Sequence, residues 1–286
     1  MENILEISGL NKSYGNFSLQ DISFSLPVGC ITGFIGINGA GKTTTLRTIL
    51  GLTSKLSGNV RLFGMDMETK EKQIKERIGI VLDGVGFYDE LSLSEMKNIV
   101  ASAYKSWDEA TYRMYLDRFS LSPKQKINEL SKGMRMKYAL ALALSHKAEL
   151  LIMDEPTSGL DPLVRSQLLD ILKEFMNKGG RGVFFSTHIT SDLDKAADML
   201  IMIDNGKIIF QEEKDTLLDS YRIVKGDSKD LTEDTVKFFA NISETAFGFT
   251  GITNRLEAVK KAMPNAVIER TTIEDIMLCN IRGGKR

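Results

Sequence analysis

A glycine-rich loop between an apolar run and an amphipathic segment is the feature that most constrains this chain. Residues 30–35 form a short apolar run typical of a buried strand, and residues 43–50 place Leu46, Ile49 and Leu50 at helical spacing. The loop between them fits the pattern G-x-x-x-x-G-K-[ST]. Its eight residues are Gly36, Ile37, Asn38, Gly39, Ala40, Gly41, Lys42 and Thr43. The order strand, loop, helix is the context in which this pattern binds nucleotide phosphates; the alternative is a chance match in a glycine-rich turn.

The residue types of this loop suit the chemistry of a triphosphate. Glycines reach backbone conformations that are closed to other residues, so successive N–H groups can surround a phosphate. The following helix directs the positive end of its dipole to the same place. Lys42 supplies a cation for the β- and γ-phosphates, and the Thr43 hydroxyl is placed to bind Mg²⁺. We therefore expect nucleotide contacts throughout the loop, and also from Thr44 at the start of the helix.

Two carboxylates follow a second apolar run. Residues 150–153 are continuously apolar, which is typical of a central strand covered on both faces, and Asp154 and Glu155 come directly after them. Ligands gather at the carboxyl ends of strands in parallel α/β sheets. We therefore expect Asp154 to hold Mg²⁺, directly or through water, and Glu155 to polarise the water that attacks the γ-phosphate. The alternative is a pair of surface acids at a strand end.

Several motifs in a fixed order resemble the ATP-binding-cassette ATPases. Residues 36–43 resemble the phosphate loop of that family, residues 130–134 its signature sequence, and residues 158–161 its D-loop. His188 follows an apolar run, as the switch histidine of the family does. The resemblance implies ATP and Mg²⁺ as cofactors and an ATPase reaction.

The resemblance also implies a role for each matching residue. In the family, two cassettes hold two ATP molecules between them, so Ser131 and Gly133 would donate hydrogen bonds to a γ-phosphate bound by a partner cassette. Asp161 would arrange the dimer contact near the site. His188 would bond the γ-phosphate and join Glu155 and Lys42 as a catalytic residue. Tyr14 matches the aromatic residue that stacks on adenine; without the family position, packing would be its simpler explanation.

Two positions depart from the family pattern. Lys132 stands where the signature sequence most often has glycine, and a cation facing a triphosphate is compatible with the same role. Asp83 stands where the family usually carries glutamine. Its carboxylate can accept from a Mg²⁺-bound water but cannot donate, so we expect Asp83 to contact Mg²⁺ or its water, with a structural role as the alternative. Within the family, the chain most resembles bacterial exporters of the antibiotic-resistance and bacitracin type and the YtrB-like group.

The composition argues against some partners and compartments. There are 37 lysines and arginines against 38 acidic residues, so no basic excess points to nucleic acid as a partner. Cys30 and Cys279 offer neither a disulfide framework nor a zinc pattern. No segment resembles a signal peptide, and none approaches the roughly 20 apolar residues of a membrane span. We expect a cytoplasmic protein, peripheral on the inner face of the membrane, whose partners are integral-membrane permease subunits and a second cassette, identical or different.

The expected fold class is α/β, a P-loop NTPase core with an antiparallel β subdomain, a helical lobe and a small α+β C-terminal appendage. The motifs place the cassette at residues 2–215, its helical lobe at about 86–145, and the extension at 216–286. Alternating residues predict an antiparallel layer from four segments: 2–8, 18–26, 58–62 and 207–210. Helices are predicted at 94–105, 108–119, 122–130 and behind the signature sequence. The extension is predicted as strand 221–224, helix 232–239, strand 244–250, helix 255–263, strand 266–270 and helix 272–278.

The sequence therefore predicts an ATP-hydrolysing transport subunit, with export favoured, acting through separate permeases. A soluble cassette acting on ribosomes or nucleic acid is the alternative from another class, and a non-hydrolysing ATP-gated module is a third. Phe87 and Tyr88 lie in the segment that receives the membrane subunit in the family, so we expect them to contact a permease; packing within the lobe is the alternative.

Overall fold

The computed structural model describes residues 2–82 and 86–283, apart from the side chains of residues 282 and 283. The strands are β1 Asn3–Tyr14, β2 Phe17–Pro27, β3 Ile31–Ile35, β4 Ser57–Leu62, β5 Met65–Asp66, β6 Ile78–Val81, β7 Leu150–Asp154, β8 Gly182–Thr187, β9 Met199–Asp204, β10 Lys207–Glu213, β11 Arg222–Gly226, β12 Asn241–Thr245, β13 Gly248–Thr253 and β14 Val267–Arg270. The α-helices are α1 Lys42–Ile49, α2 Met67–Lys75, α3 Leu93–Ala101, α4 Glu109–Arg118, α5 Lys132–Leu144, α6 Pro162–Met176, α7 Thr190–Ala196, α8 Lys214–Ser220, α9 Leu256–Ala262 and α10 Ile273–Gly283.

A sheet of order β10-β9-β3-β8-β7-β6 forms the centre of the fold. Its strands run parallel except for β10, which pairs antiparallel with β9. Strands β3, β7 and β8 are buried along their whole length, as expected for apolar runs covered on both faces. The phosphate loop follows β3 and the two carboxylates stand at the end of β7, so the topology brings both to the same edge of the sheet.

A second sheet, of order β2-β1-β4-β5, is antiparallel and packs its apolar face on the core. Three of the four segments predicted for this layer belong to it. The assignment of residues 207–210 is wrong, because they lie in β10 at the edge of the central sheet. The side-chain amide of Gln211 in β10 accepts from the Ser25 N–H of β2 and donates to the Ser25 carbonyl, so the segment borders the layer without pairing into its ladder.

Helices α3, α4 and α5 make up the region predicted as the helical lobe, and Asp108 caps α4 by accepting from the Thr111 N–H. The predicted helix at 122–130 is wrong, since only a 3₁₀ turn at Ile127–Glu129 is present. The reason is backbone pairing: carbonyls of Pro123 and Gln125 accept from the first N–H groups of α3, which a helix would leave unsatisfied.

The C-terminal part carries a third sheet, of order β12-β13-β11-β14, with a small core of its own. The predicted helix at 232–239 is reduced to a single 3₁₀ turn at Val236–Phe238, because the Thr235 hydroxyl donates to the Asp230 carbonyl and accepts from the Thr232 N–H. The predicted strand at 244–250 is a hairpin instead, with a turn before Gly248. Helix α10 packs on α7, and its buried Ile273 joins the main core. The division at residue 215 stays a prediction.

Within the described residues, no helix is both long enough and apolar enough to cross a bilayer.

Candidate nucleotide site

The phosphate loop connects β3 to α1 and turns around glycines. A Cβ at Gly36 would lie 2.4 Å from the Ile203 carbonyl oxygen, so only glycine fits there. Gly41 precedes α1 with φ of 116°, a conformation that other residues rarely adopt. Helix α1 begins directly after it, which aims its free N–H groups at the mouth of the loop.

Lys42 is the cation of the loop and is 6 % exposed. Its ammonium donates to the Gly36 carbonyl at 2.7 Å and forms an ion pair with Glu155 Oε1 at 3.2 Å. A charge this buried requires partners, and the loop carbonyl and the carboxylate supply them. These two contacts hold the ammonium in place at the base of the loop.

Glu155 follows β7 in a left-handed conformation, with φ of 49°. Its Oε2 lies 2.7 Å from His188 Nδ1 and accepts from the His188 backbone N–H at 3.3 Å. The carboxylate thus bridges Lys42 and His188, as the sequence prediction of a shared site requires. A neutral imidazole that donates through Nδ1 can only accept through Nε2. Donation from His188 Nε2 to a phosphate therefore requires either a protonated ring or release of the contact with Glu155.

Ser186 on the neighbouring strand fixes the two carboxylate residues relative to each other. Its hydroxyl donates to Asp154 Oδ1 at 2.5 Å and accepts from the Glu155 N–H at 3.0 Å. Asp154 is 3 % exposed. The end of β7 is therefore a fixed arrangement, and Asp154 is oriented by the protein.

A cleft of about 540 Å³ lies over the phosphate loop. It is lined by Phe17, Ile37, Asn38, Gly39, Gly41, Lys42, Thr43, Thr44, Glu155, Ser158 and His188. Backbone donors, a buried ammonium, three hydroxyls and one carboxylate form a set of polar groups that fits a triphosphate with its Mg²⁺. Gly36 and Ala40 shape the loop without lining the cleft.

Besides Ser158, which was predicted only as part of the D-loop, Phe17 is the residue of this cleft that sequence reasoning missed. It faces Tyr14 directly across the β1–β2 hairpin, and paired residues share one face of a sheet. Its ring lies 2.9 Å from where a Cβ on Gly41 would stand. Tyr14 does not line the cleft; it is 46 % exposed and has the Lys12 ammonium 4.6 Å from its ring centroid. The two-residue turn after Tyr14 was the available signal, because it fixes Phe17 as the cross-strand partner.

A second group of predicted residues lies outside this cleft. Ser131 is exposed at the start of α5 and accepts from the Met134 N–H at 3.2 Å; Gly133 follows in the first turn. Asp161 is exposed too and caps α6. The Lys132 ammonium comes within 3.2 Å of where a Cβ on Gly159 would stand, so the signature segment and the turn before α6 are neighbours.

Two further predicted contacts have different outcomes. Asp83 lies outside the described residues, so its predicted contact with Mg²⁺ stays a prediction. Phe87 packs its ring 5.2 Å from that of Tyr138, which favours packing within the lobe for this residue. Tyr88 is 64 % exposed and remains available to a partner.

Comparison with known proteins decides the family. The family model described as ABC transporter matches residues 19–158. The bacitracin transport ATP-binding protein of Bacillus licheniformis is 34% identical over 212 residues, which are 73% of this chain and 69% of that protein. The chain belongs to the ABC transporter ATPase family. It is an ATP-binding subunit whose ATP hydrolysis drives transport, and the soluble alternative is not supported.

Other relatives agree with this assignment. The lantibiotic transport ATP-binding protein of Streptococcus pyogenes is 32% identical over 215 residues, covering 74% of this chain and 92% of that protein. The linearmycin resistance ATP-binding protein of Bacillus subtilis is 35% identical over 212 residues, covering 72% of this chain and 68% of that protein. A solved structure of an ATP-binding subunit of an ABC transporter aligns with a TM-score of 0.69 and 29% identity, over 76% of this chain and 92% of that one. The α/β fold class of the sequence prediction is confirmed.

Proposed function

We propose that this subunit hydrolyses ATP in the cleft over the phosphate loop, with Glu155 holding the attacking water. The observation that carries the proposal is the position of the Glu155 carboxylate, between the Lys42 ammonium at 3.2 Å and His188 Nδ1 at 2.7 Å. A γ-phosphate bound to Lys42 would therefore lie beside a carboxylate able to take a proton from water. Catalysis of this kind depends on position and electrostatics, and both are built into the cleft.

Mg²⁺ is proposed at the same place. The Thr43 hydroxyl lines the cleft, and Asp154 is held at the end of the adjacent strand by Ser186. Hydroxyl and carboxylate oxygens, completed by phosphate oxygens and water, are the ligands that Mg²⁺ prefers. When bound, the ion neutralises charge on the β- and γ-phosphates; Thr43 and Asp154 are the residues that would hold it.

A second cassette completes the site in this proposal. Ser131, Gly133 and Asp161 lie outside the cleft of their own chain, and Ser131 and Asp161 are exposed. The N–H groups in the first turn of α5 are suited to bind an anion, and Ser131 and Gly133 are not among the residues that line the cleft of their own chain. Two copies, or one copy and a related cassette, facing each other would bring each Ser131 to the nucleotide of the other.

The transported substrate is proposed from the relatives. The bacitracin and lantibiotic transport proteins and the linearmycin resistance protein are ATP-binding subunits concerned with antibiotics. We infer that this chain powers export of an antimicrobial compound, and that it sits on the inner face of the membrane against separate permease subunits. The exposed Tyr88 is a candidate contact with such a permease.

Phosphate release by the purified chain tests the catalytic proposal. Wild-type protein is expected to hydrolyse ATP only with Mg²⁺, and Lys42→Ala to lose ATP binding or turnover. Lys207→Ala, which removes an exposed lysine at the start of β10, is the matched control and should retain both. Hydrolysis by Lys42→Ala at the wild-type rate would contradict the proposed site. Resistance of cells expressing the chain with its permeases to bacitracin, a lantibiotic and linearmycin tests the substrate class separately.

A further inference from the structure

Asp192 is a fully buried carboxylate that the catalytic proposal does not use. It lies in the first turn of α7 with no exposed surface. Aspartates are almost never buried to this extent unless they are paired. Its Oδ2 accepts from the Thr157 hydroxyl at 2.6 Å, and Thr157 is fully buried as well. The bond therefore joins α7 to the turn that follows Glu155.

The second oxygen of Asp192, Oδ1, lies near the Arg165 guanidinium but makes no hydrogen bond with it. Among the described residues, neither Asp192 Oδ1 nor Arg165 Nε has a hydrogen-bond partner, although both atoms are buried. They lie 3.8 Å apart, about 1 Å beyond a charge-assisted hydrogen bond. The two charges form a buried ion pair, and removing one partner would leave the other charge uncompensated at a cost of several kcal/mol.

These three residues belong to the segments that carry the proposed catalytic machinery. Thr157 lies two residues after Glu155, and its carbonyl accepts from the Leu160 N–H in the turn that leads to Asp161. Arg165 lies in the first turns of α6, where its N–H donates to the Asp161 carbonyl. The Asp192 N–H donates to the Ile189 carbonyl, directly after His188. One carboxylate thus connects the Glu155 turn, the Asp161 helix and the His188 turn.

We propose that Asp192 is a positioning residue that, through Thr157 and Arg165, sets the distance between Glu155 and His188. It touches neither substrate nor metal; it acts on the placement of two side chains that do. This inference rests on the proposed roles of Glu155 and His188. Because misplacement by a fraction of an ångström reduces catalysis without removing the phosphate contacts, its signature is a loss in kcat at nearly constant KM.

Thr157→Val tests the proposal, because it removes the hydroxyl while keeping the shape. We expect kcat to fall on the order of tenfold with KM for ATP changed by less than about twofold, and Thr157→Ser to restore most of kcat. The matched control is Thr253→Val, which removes an equally buried hydroxyl bonded at 2.6 Å to the Phe238 carbonyl in the C-terminal sheet. That variant should lose thermal stability and keep kcat.

A double-mutant cycle of Asp192→Asn and Arg165→Met tests the other half of the connection. Each single substitution should lower kcat, and the double variant should lose less than the sum of the two effects, because the residues act through one contact. Glu155→Gln is measured in parallel. If it keeps the wild-type kcat, the catalytic assignment fails. If it loses kcat while folded Thr157→Val and Asp192→Asn keep theirs, only the positioning role is overturned.

Discussion

Replacing Glu155 by glutamine should make ATP bind more tightly while stopping its hydrolysis. The Glu155 carboxylate forms an ion pair with the Lys42 ammonium at 3.2 Å, and the two side chains are 14% and 6% exposed. ATP has to replace this ion pair before Lys42 can bind the γ-phosphate. Glutamine preserves a carbonyl acceptor but removes the competing charge, and it also removes the repulsion between Glu155 and the phosphates.

The size of the effect follows from that geometry. Two unit charges at this distance attract by about 5 kcal/mol at an effective dielectric constant of about 20, which is an upper bound. A charged hydrogen bond contributes about 1.5–3 kcal/mol net, and glutamine retains part of it. We therefore expect a gain of about 1–2 kcal/mol, or about 5- to 30-fold in the Kd for ATP. The kcat should fall on the order of a hundredfold or more, because the carboxylate that takes the proton from water is gone.

Calorimetric titration with Mg-ATP measures the Kd, and phosphate release measures kcat. In the titration, protein concentrations should stay low enough to keep the chain monomeric, so that dimer formation does not add to the affinity. Phosphate release is measured at concentrations at which two copies can pair. Glu174→Gln is the matched control, since it breaks an exposed ion pair with Arg118 away from the cleft and should change neither quantity. Weaker ATP binding by Glu155→Gln, or hydrolysis at the wild-type rate, would refute the reasoning.

Three further predictions concern other positions, and the first two use matched substitutions. Gly206→Ala should lower the free energy of unfolding by several kcal/mol more than Gly179→Ala, as measured by chemical denaturation. Both glycines have positive φ, which costs an alanine about 1–2 kcal/mol, but only at Gly206 would the new Cβ meet the Ser18 carbonyl oxygen, at 1.9 Å. Ile273→Ala should cost about 2–5 kcal/mol, since α10 packs in the main core, whereas Ile268→Ala, 37% exposed, should cost less than about 1 kcal/mol. Phe17 lines the cleft, and we expect its ring to stack on the base, so Phe17→Ala should weaken ATP binding by about 1–3 kcal/mol in a calorimetric titration; unchanged affinity would exclude that contact.

The parts of the site that follow one another along the chain could be predicted from sequence. The loop with Lys42 and Thr43 is one continuous segment, and the positions of its glycines indicate where the backbone takes conformations that other residues rarely adopt. Asp154 and Glu155 could be placed beside the loop because the carboxyl ends of parallel strands share one edge of the sheet. The structure agrees, with Glu155 in contact with Lys42.

What could not be predicted depends on partners distant along the chain. The segment after Pro123 has a helical pattern, but its carbonyls are taken by the start of α3, about thirty residues earlier. Residues 207–210 have the pattern of a strand, like the segments of the antiparallel layer, but this pattern does not determine which strand the segment pairs with. Asp192 has no motif around it, and only its burial between Thr157 and Arg165 draws attention to it.

The molar mass of Glu155→Gln with and without Mg-ATP tests the central claim most directly. If two copies share each nucleotide, light scattering should show a monomer without nucleotide and a dimer with it. The double variant Glu155→Gln, Ser131→Arg should stay monomeric, because an arginine in place of the exposed Ser131 obstructs the partner's phosphate. At protein concentrations that keep Glu155→Gln monomeric too, both variants should bind ATP with the same Kd. A dimer that forms equally well with Ser131→Arg, or a chain that stays monomeric at saturating ATP and high protein concentration, would contradict the account.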